Sequence, residues 1–256
     1  MHRLEVRDLA MHFGGIRAVD GISFAVAPRE VFTIIGPNGA GKTTIFNLIS
    51  RIYRPTAGTI VFDGVDITAV PAHQIAARGI ARTFQNIELF DNRSVLANIL
   101  VGQHVHLRTN VLSEMLRLPS VITAEVAARR KVEEIIDFLR LAPYRDARVG
   151  GLPYGVRKMV ELGRALACQP KLLLLDEPSS GLNVEETDDI GVWIADIRDV
   201  LGITVLMVEH DMRLVSAVSD RVLAVNFGRQ LALGTPWEVQ RDPAVVRAYL
   251  GEPKDG

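Results

Sequence analysis

The residues Gly36, Pro37, Asn38, Gly39, Ala40, Gly41, Lys42, Thr43 and Thr44 form the densest patch of chemistry in the chain. Glycines at 36, 39 and 41 permit a tight, positive-φ backbone that can turn successive N–H groups toward one anion. Lys42 adds a point charge suited to β and γ phosphate oxygens, and the Thr43 hydroxyl can ligate Mg²⁺. The patch follows the apolar run EVFTII and opens the helix-like run KTTIFNLIS. That is the strand-to-helix setting in which the pattern G-x-x-x-x-G-K-S/T binds phosphate.

A second cluster lies in LLLLDEP, Leu172 to Pro178. An apolar strand ending in two carboxylates delivers them to the C-terminal edge of a sheet, where open α/β folds bind ligands. Beside a phosphate loop the two acids need different work. Asp176 would hold Mg²⁺ through a water, and Glu177 would polarise the attacking water as general base. Gln85, in RTFQNIELF, brings a neutral amide that could reach the metal or the lytic water. His210 follows the strand ITVLMVE and would donate a hydrogen bond to the γ-phosphate as charge builds there, or stand as an ordinary strand-end histidine.

These groups need a scaffold, and the hydrophobic pattern supplies one in three parts. From Leu4 to about Gln85, strand-like runs (LEVRDL, GISFAV, EVFTIIG, GTIVFDG) alternate with Gly and Pro turns. The N-terminal stretch MHRLEVRDLAMHF alternates apolar and charged residues and reads as an edge strand. From about Asn86 to Cys168 the spacing turns helical, in SVLANILVGQHV, NVLSEMLRL and AEVAARRKVEEIIDFLRLA. After Lys171, the runs KLLLLD, ITVLMVE and RVLAVN are too apolar for a wet face, so they read as central parallel strands. The helical stretch is thus an insertion between the halves of one sheet domain.

Composition agrees with an ordinary globular chain: 256 residues, 48% hydrophobic and 23% charged. The net charge of −1 gives no electrostatic case for nucleic acid. A single cysteine, Cys168, excludes an internal disulfide and reads as a small hydrophobe. No run of about 18 apolar residues is present, so any membrane role must come through a partner.

With these residues in order, the chain resembles the nucleotide-binding subunit of ABC transporters over essentially its full length. The resemblance implies an α/β P-loop NTPase fold: a mixed, largely parallel sheet core, an N-terminal antiparallel β subdomain and an inserted α-helical subdomain. Residues 1–85 and 169–256 would form the core and residues 86–168 the helical subdomain within one ATPase domain. It implies ATP and Mg²⁺ as ligands, with Walker A at 36–44 and Walker B ending at Asp176. Phe13 falls where an aromatic ring stacks on adenine, although a place in the core of the first sheet fits it nearly as well.

The family signature, typically Leu-Ser-Gly-Gly-Gln, reads Leu152, Pro153, Tyr154, Gly155, Val156. It heads a helix that contacts ATP held by a second subunit. Serine and glutamine are both absent, and the first glycine is a tyrosine. Gly155 still lets backbone come close, and Pro153 suits the first helical turn. A hydroxyl bonded to phosphate contributes about 1.5–3 kcal/mol and a helix terminus about 0.3–2 kcal/mol, so the loss rivals what remains. After Walker B, the usual Ser-Ala-Leu-Asp is Ser180, Gly181, Leu182, Asn183, which keeps the hydrogen-bonding shape and drops the charge.

The Tyr-Gly signature, the insertion VGQHVHLRTNVLSEMLRLPS and the tail GTPWEVQRDPAVVRAYLGE resemble the ATPase of branched-chain amino-acid transporters. The resemblance implies an import ATPase for branched-chain or other hydrophobic amino acids, with urea and amides as the alternative cargo. It implies a head-to-tail partner ATPase, membrane permeases, a solute-binding protein, no nucleic acid, and a place at the cytoplasmic face of the inner membrane. A soluble relative acting on DNA or ribosomes usually carries two cassettes, whereas one phosphate loop is present here. A non-hydrolysing regulator is opposed by intact Lys42, Asp176, Glu177 and His210.

Overall fold

The computed structural model describes residues 2–84, 87–106 and 119–250. The chain divides into two compact units, Met1–Ile75 with Lys171–Gly256, and Ala76–Pro170.

The first unit contains two sheets. Strands β1 (Leu4–Phe13), β2 (Ile16–Val26), β4 (Ala57–Phe62) and β5 (Val65–Asp66) pair antiparallel in the order β2-β1-β4-β5. The N-terminal strand is therefore not an edge strand: Leu4 lies between Val26 and Phe62. Its charged residues alternate because one face of the sheet is wet, which an interior antiparallel strand shows as readily as an edge one. The alternation slips at Asp8, whose φ of +45° accompanies a register shift that returns Leu9 to the buried side.

The second sheet contains β3 (Val31–Ile35), β7 (Leu172–Asp176), β8 (Thr204–Val208), β9 (Arg221–Asn226) and β10 (Arg229–Gly234), in the order β10-β9-β3-β8-β7. Strands β3, β7, β8 and β9 run parallel, and β10 returns antiparallel. Every residue of β3, β7 and β8 is buried, as their unbroken apolar sequences require of strands covered on both faces. The helix over Lys42–Ile49 follows β3, and the helices Val184–Asp199 and Met212–Val218 follow β7 and β8. The latter two are the crossovers that carry the chain from β7 to β8 and from β8 to β9, as parallel strands need.

Among the described residues, the second unit has a short helical turn at Ala76–Arg78, the strand β6 (Ile80–Arg82) and then helices over Val95–Leu100, Pro119–Phe138 and Tyr154–Ala167. Gly102 sits against the carbonyl of Arg164, where an added Cβ would lie 2.2 Å from the oxygen, so only glycine permits this approach. The expected helix NVLSEMLRL lies outside the described residues. Among the described residues no helix is long and apolar enough to cross a membrane.

Candidate functional site

Parallel pairing fixes where the chemistry gathers. Val208 at the end of β8 pairs with Ile34 of β3 on one side and Asp176 of β7 on the other. The loop after β3, the acids ending β7 and the residues after β8 therefore leave the sheet at one edge. The sequence order of these segments hides their adjacency; the strand order restores it.

The loop has the backbone its glycines allow. Gly39 and Gly41 adopt φ of +81° and +102°, a region that L side chains rarely enter. A Cβ on Gly41 would lie 2.4 Å from the carbonyl oxygen of Ala18, and one on Gly36 would lie 2.2 Å from that of Val225. Among the described residues nothing lies within 4 Å of a Cβ built on Gly39, which leaves that turn room for a ligand. Gly41 caps the helix Lys42–Ile49, whose N-terminal dipole favours an anion.

Lys42 is 7% exposed, and its ammonium donates to the Gly36 carbonyl at 2.6 Å and the Pro37 carbonyl at 3.1 Å. Burial draws its pKa below the ordinary lysine value, against the opposing charges of Glu177 and Asp176. A buried cation of this kind is under-solvated, and phosphate oxygens would supply what water does not.

Asp176 is 5% exposed. Glu177 follows with φ of +49°, a conformation that costs a non-glycine residue about 1–2 kcal/mol and is typical of functional turns. Its own N–H donates to the Val208 carbonyl at 2.9 Å. His210 Nδ1 lies 3.9 Å from a Glu177 oxygen, so base and γ-phosphate donor candidates are neighbours. Among the described residues no three His, Cys, Asp or Glu side chains cluster as a closed metal site. A hard cation that completes its shell with phosphate and water needs only one or two protein oxygens, and the Thr43 hydroxyl with the Asp176 carboxylate fits that need.

Phe13 ends β1 at 41% exposure with its ring edge-to-face with Tyr53, centroids 5.3 Å apart. That exposure removes the reading of Phe13 as a core residue and leaves ring surface for a flat ligand. Asn183 is occupied as the cap of the helix Val184–Asp199: its Oδ1 accepts the Glu186 N–H at 2.9 Å, and Glu186 accepts the Asn183 N–H at 3.0 Å.

Two features escaped sequence reasoning. Glu209, fully buried at the end of β8, reads in sequence as the last letter of a strand. The other is the approach of the tail helix Pro243–Leu250 to the phosphate loop. The cavity beside that loop is bounded by Pro37, Asn38, Gly39, Ala244, Arg247 and Ala248.

In the second unit, Pro153 is the cap residue preceding the helix Tyr154–Ala167 and not a residue of its first turn. Its ψ of 151° is extended, so the helix begins only at Tyr154. Proline supplies no side-chain acceptor for the first N–H groups, and they remain uncapped by Pro153. The Tyr154 ring lies 5.7 Å from the Lys158 ammonium, a cation–π contact at the head of the helix. Gln85 lies outside the described residues. Its neighbour Phe84 donates its N–H at 3.1 Å to Glu161, which is 4% exposed on the same helix as the signature.

Burial raises the Glu161 pKa, opposed by the Phe84 N–H and by Arg164 and Lys158. A carboxylate whose folded pKa is raised stabilises the fold below its unfolded pKa and loses that contribution as pH rises through the folded value. Glu161→Gln keeps an acceptor for Phe84 and removes the titration. Thermal melts should therefore show the variant gaining on the wild type between pH 5 and pH 8. Glu161→Leu leaves the Phe84 N–H without this acceptor and should cost about 1–3 kcal/mol at either pH. A wild-type-minus-Gln difference that does not vary with pH would contradict the assignment.

A family model described as "ABC transporter" matches residues 19–180, and one described as "Branched-chain amino acid ATP-binding cassette transporter" matches residues 229–255. The chain is 43% identical over 249 residues to the high-affinity branched-chain amino acid transport ATP-binding protein BraF of Pseudomonas aeruginosa, covering 97% of this chain and 98% of that one. It is 41% identical over 249 residues, with the same coverage, to LivG of Escherichia coli, which carries the same description. Among solved structures, the ADP conformation of MJ1267, an ATP-binding cassette of an ABC transporter, superposes with a TM-score of 0.86 at 32% identity, covering 98% of this chain and 100% of that one.

Proposed function

The chain belongs to the ABC transporter ATP-binding family, and from that premise we propose that it hydrolyses ATP to drive an importer of branched-chain or related hydrophobic amino acids. The observation that carries the reading is the single sheet edge to which β3, β7 and β8 deliver Lys42, Asp176, Glu177 and His210. The matched tail and the similarity to BraF and LivG support the amino-acid cargo.

The loop 36–44 cradles the phosphates with backbone N–H groups and Lys42. Thr43 and Asp176, with Gln85, would hold Mg²⁺, which neutralises phosphate charge when bound. Glu177 orients and deprotonates the attacking water, and His210 donates to the γ-phosphate as negative charge gathers there. Phe13 stacks on the adenine.

One chain supplies only part of this constellation, and residues Leu152 to Val156 serve the nucleotide of a second ATPase subunit, a copy or a paralogue. ATP then closes the pair, and the insert 86–168 carries that closure to membrane permeases. The permeases seat the chain on the cytoplasmic face of the inner membrane, and a solute-binding protein delivers the amino acid from the other side.

Vesicles holding the chain with its permeases and binding protein should accumulate leucine, isoleucine or valine when ATP is on the chain's side, and should not accumulate urea. ATP hydrolysis that is indifferent to all three amino acids would overturn the cargo assignment.

The signature offers a separate test. Pro153→Ser restores a hydroxyl for the partner's phosphate and also caps its own helix, the latter worth about 1 kcal/mol of stability. Measured by sedimentation in a non-hydrolysing background, ATP-dependent dimerisation should tighten about 10-fold or more, as expected for a hydroxyl–phosphate bond of about 1.5–3 kcal/mol. Unchanged or weaker association would count against a ligand role for this stretch.

A further inference from the structure

Among the described residues of the sheet edge, Glu209 is a charged group that the proposed mechanism leaves without a task, and it is 0% exposed. A carboxylate held so far from water persists only if its oxygens are occupied by strong donors. Glu209 Oε1 accepts the Ser179 N–H at 2.8 Å. Its Oε2 accepts the His210 N–H at 2.8 Å and the Asp211 N–H at 3.0 Å. The three donors come from two different loops. Ser179 lies two residues past Glu177, and His210 is the γ-phosphate donor candidate.

The surroundings explain why such a tie is needed. Glu177 sits in a left-handed conformation, so the turn Glu177–Pro178–Ser179 must be held from outside to keep it. One hold is the Glu177 N–H to the Val208 carbonyl, and the second is Ser179 to Glu209. Glu209 is itself anchored through its N–H to the Ile34 carbonyl at 3.3 Å, at the strand that leads into the phosphate loop. His210 Nδ1 lies 3.9 Å from Glu177 Oε2 and 3.9 Å from Glu209 Oε2, so the imidazole is flanked by both carboxylates.

We infer that Glu209 is a positioning residue: its carboxylate fastens the loop of Glu177 to the loop of His210 and sets the distance between the two groups. It touches no substrate in this role and acts through the residues it holds. The inference rests on the ATPase reading above and deepens it. An amide cannot substitute, because Glu209→Gln leaves one acceptor oxygen where two carboxylate oxygens now serve opposite loops, and the amide NH₂ would face a backbone N–H.

The test compares steady-state ATP hydrolysis and nucleotide affinity for wild type, Glu209→Gln, Glu209→Asp, His210→Ala and the Glu209→Gln/His210→Ala double variant, each assembled with its permeases. Glu209→Gln should lower kcat by about 10- to 100-fold, the cost of one or two charge-assisted bonds, with ATP affinity within about threefold of wild type. Glu209→Asp keeps the charge on a shorter stem and should recover part of kcat, providing a folded comparison if the Gln variant is unstable. In the His210→Ala background the Glu209→Gln loss should shrink, because part of what it positions is already gone.

A full multiplicative loss in the double variant, or a fall in affinity equal to the fall in kcat, would reduce Glu209 to a general stabiliser and overturn the inference. A kcat unchanged by Glu209→Gln would overturn it too. Absence of turnover in the wild type itself would instead strike the ATPase reading.

Discussion

Glu177→Gln should bind ATP as the wild type does and release almost no phosphate. The amide preserves size and one hydrogen-bonding oxygen, and removes the only property a base requires. General base catalysis contributes about 10²- to 10⁴-fold, so turnover should fall by that factor. In the cycle proposed above, in which ATP binding closes the pair and hydrolysis reopens it, the variant should also accumulate as an ATP-bound dimer. Phosphate release and sedimentation on one sample read both effects. Turnover within threefold of wild type would remove Glu177 as base. The left-handed turn at Glu177 would then need another explanation.

Lys42→Ala should separate stability from binding. The Lys42 ammonium is buried, and burial lowers its pKa, so its charge is disfavoured by folding. The sign follows from proton linkage: between the lowered folded pKa and the higher unfolded one, the unfolded chain binds more protons, and stability rises with pH. Removing the lysine should therefore hold or raise the melting temperature at neutral pH without nucleotide, and any gain should diminish toward the ordinary lysine pKa near ~10.4. Loss of its bonds to the Gly36 and Pro37 carbonyls works in the other direction and keeps the gain small. ATP affinity should meanwhile fall by about 10- to 150-fold, the equivalent of about 1.5–3 kcal/mol for a charge-assisted bond to phosphate. The ATP-induced rise in melting temperature should largely vanish at matched concentrations. A variant that melts lower and still binds ATP normally would contradict both halves.

Much of this site is legible in sequence because its parts are local. The loop at 36–44 needs only glycines, a lysine and a strand-to-helix junction, and all are contiguous. The continuous apolar runs of β3, β7 and β8 announce buried parallel strands without any knowledge of their neighbours. Where a reading depended on neighbours it faltered. Alternation in Leu4–Phe13 reports one wet face and is silent on how many strands flank it, so an interior strand passed for an edge.

Pro153 differs from its expected place by a single helical position, which only backbone angles can decide. Phe13 was ambiguous between core and surface because a ring ending a strand suits either, and only its exposure decides. Glu209 and Glu161 share one cause of concealment: Ser179, which donates to Glu209, and Phe84, which donates to Glu161, lie 30 and 77 residues away in sequence. A buried acid with distant partners leaves no periodic trace. The single cue was negative in both cases, a charged letter at a position the pattern assigns to the interior.

The central claim is that a triphosphate lies in the loop Gly36 to Thr44 and is cleaved by groups at the ends of β7 and β8. A crystal structure of Glu177→Gln grown with ATP and magnesium tests it most directly. The account predicts intact ATP with its phosphates on the backbone of that loop and on Lys42, a metal beside Thr43 and Asp176, and His210 turned to the γ-phosphate. Nucleotide bound elsewhere on the chain, or a loop that excludes phosphate at saturating ATP, would contradict it.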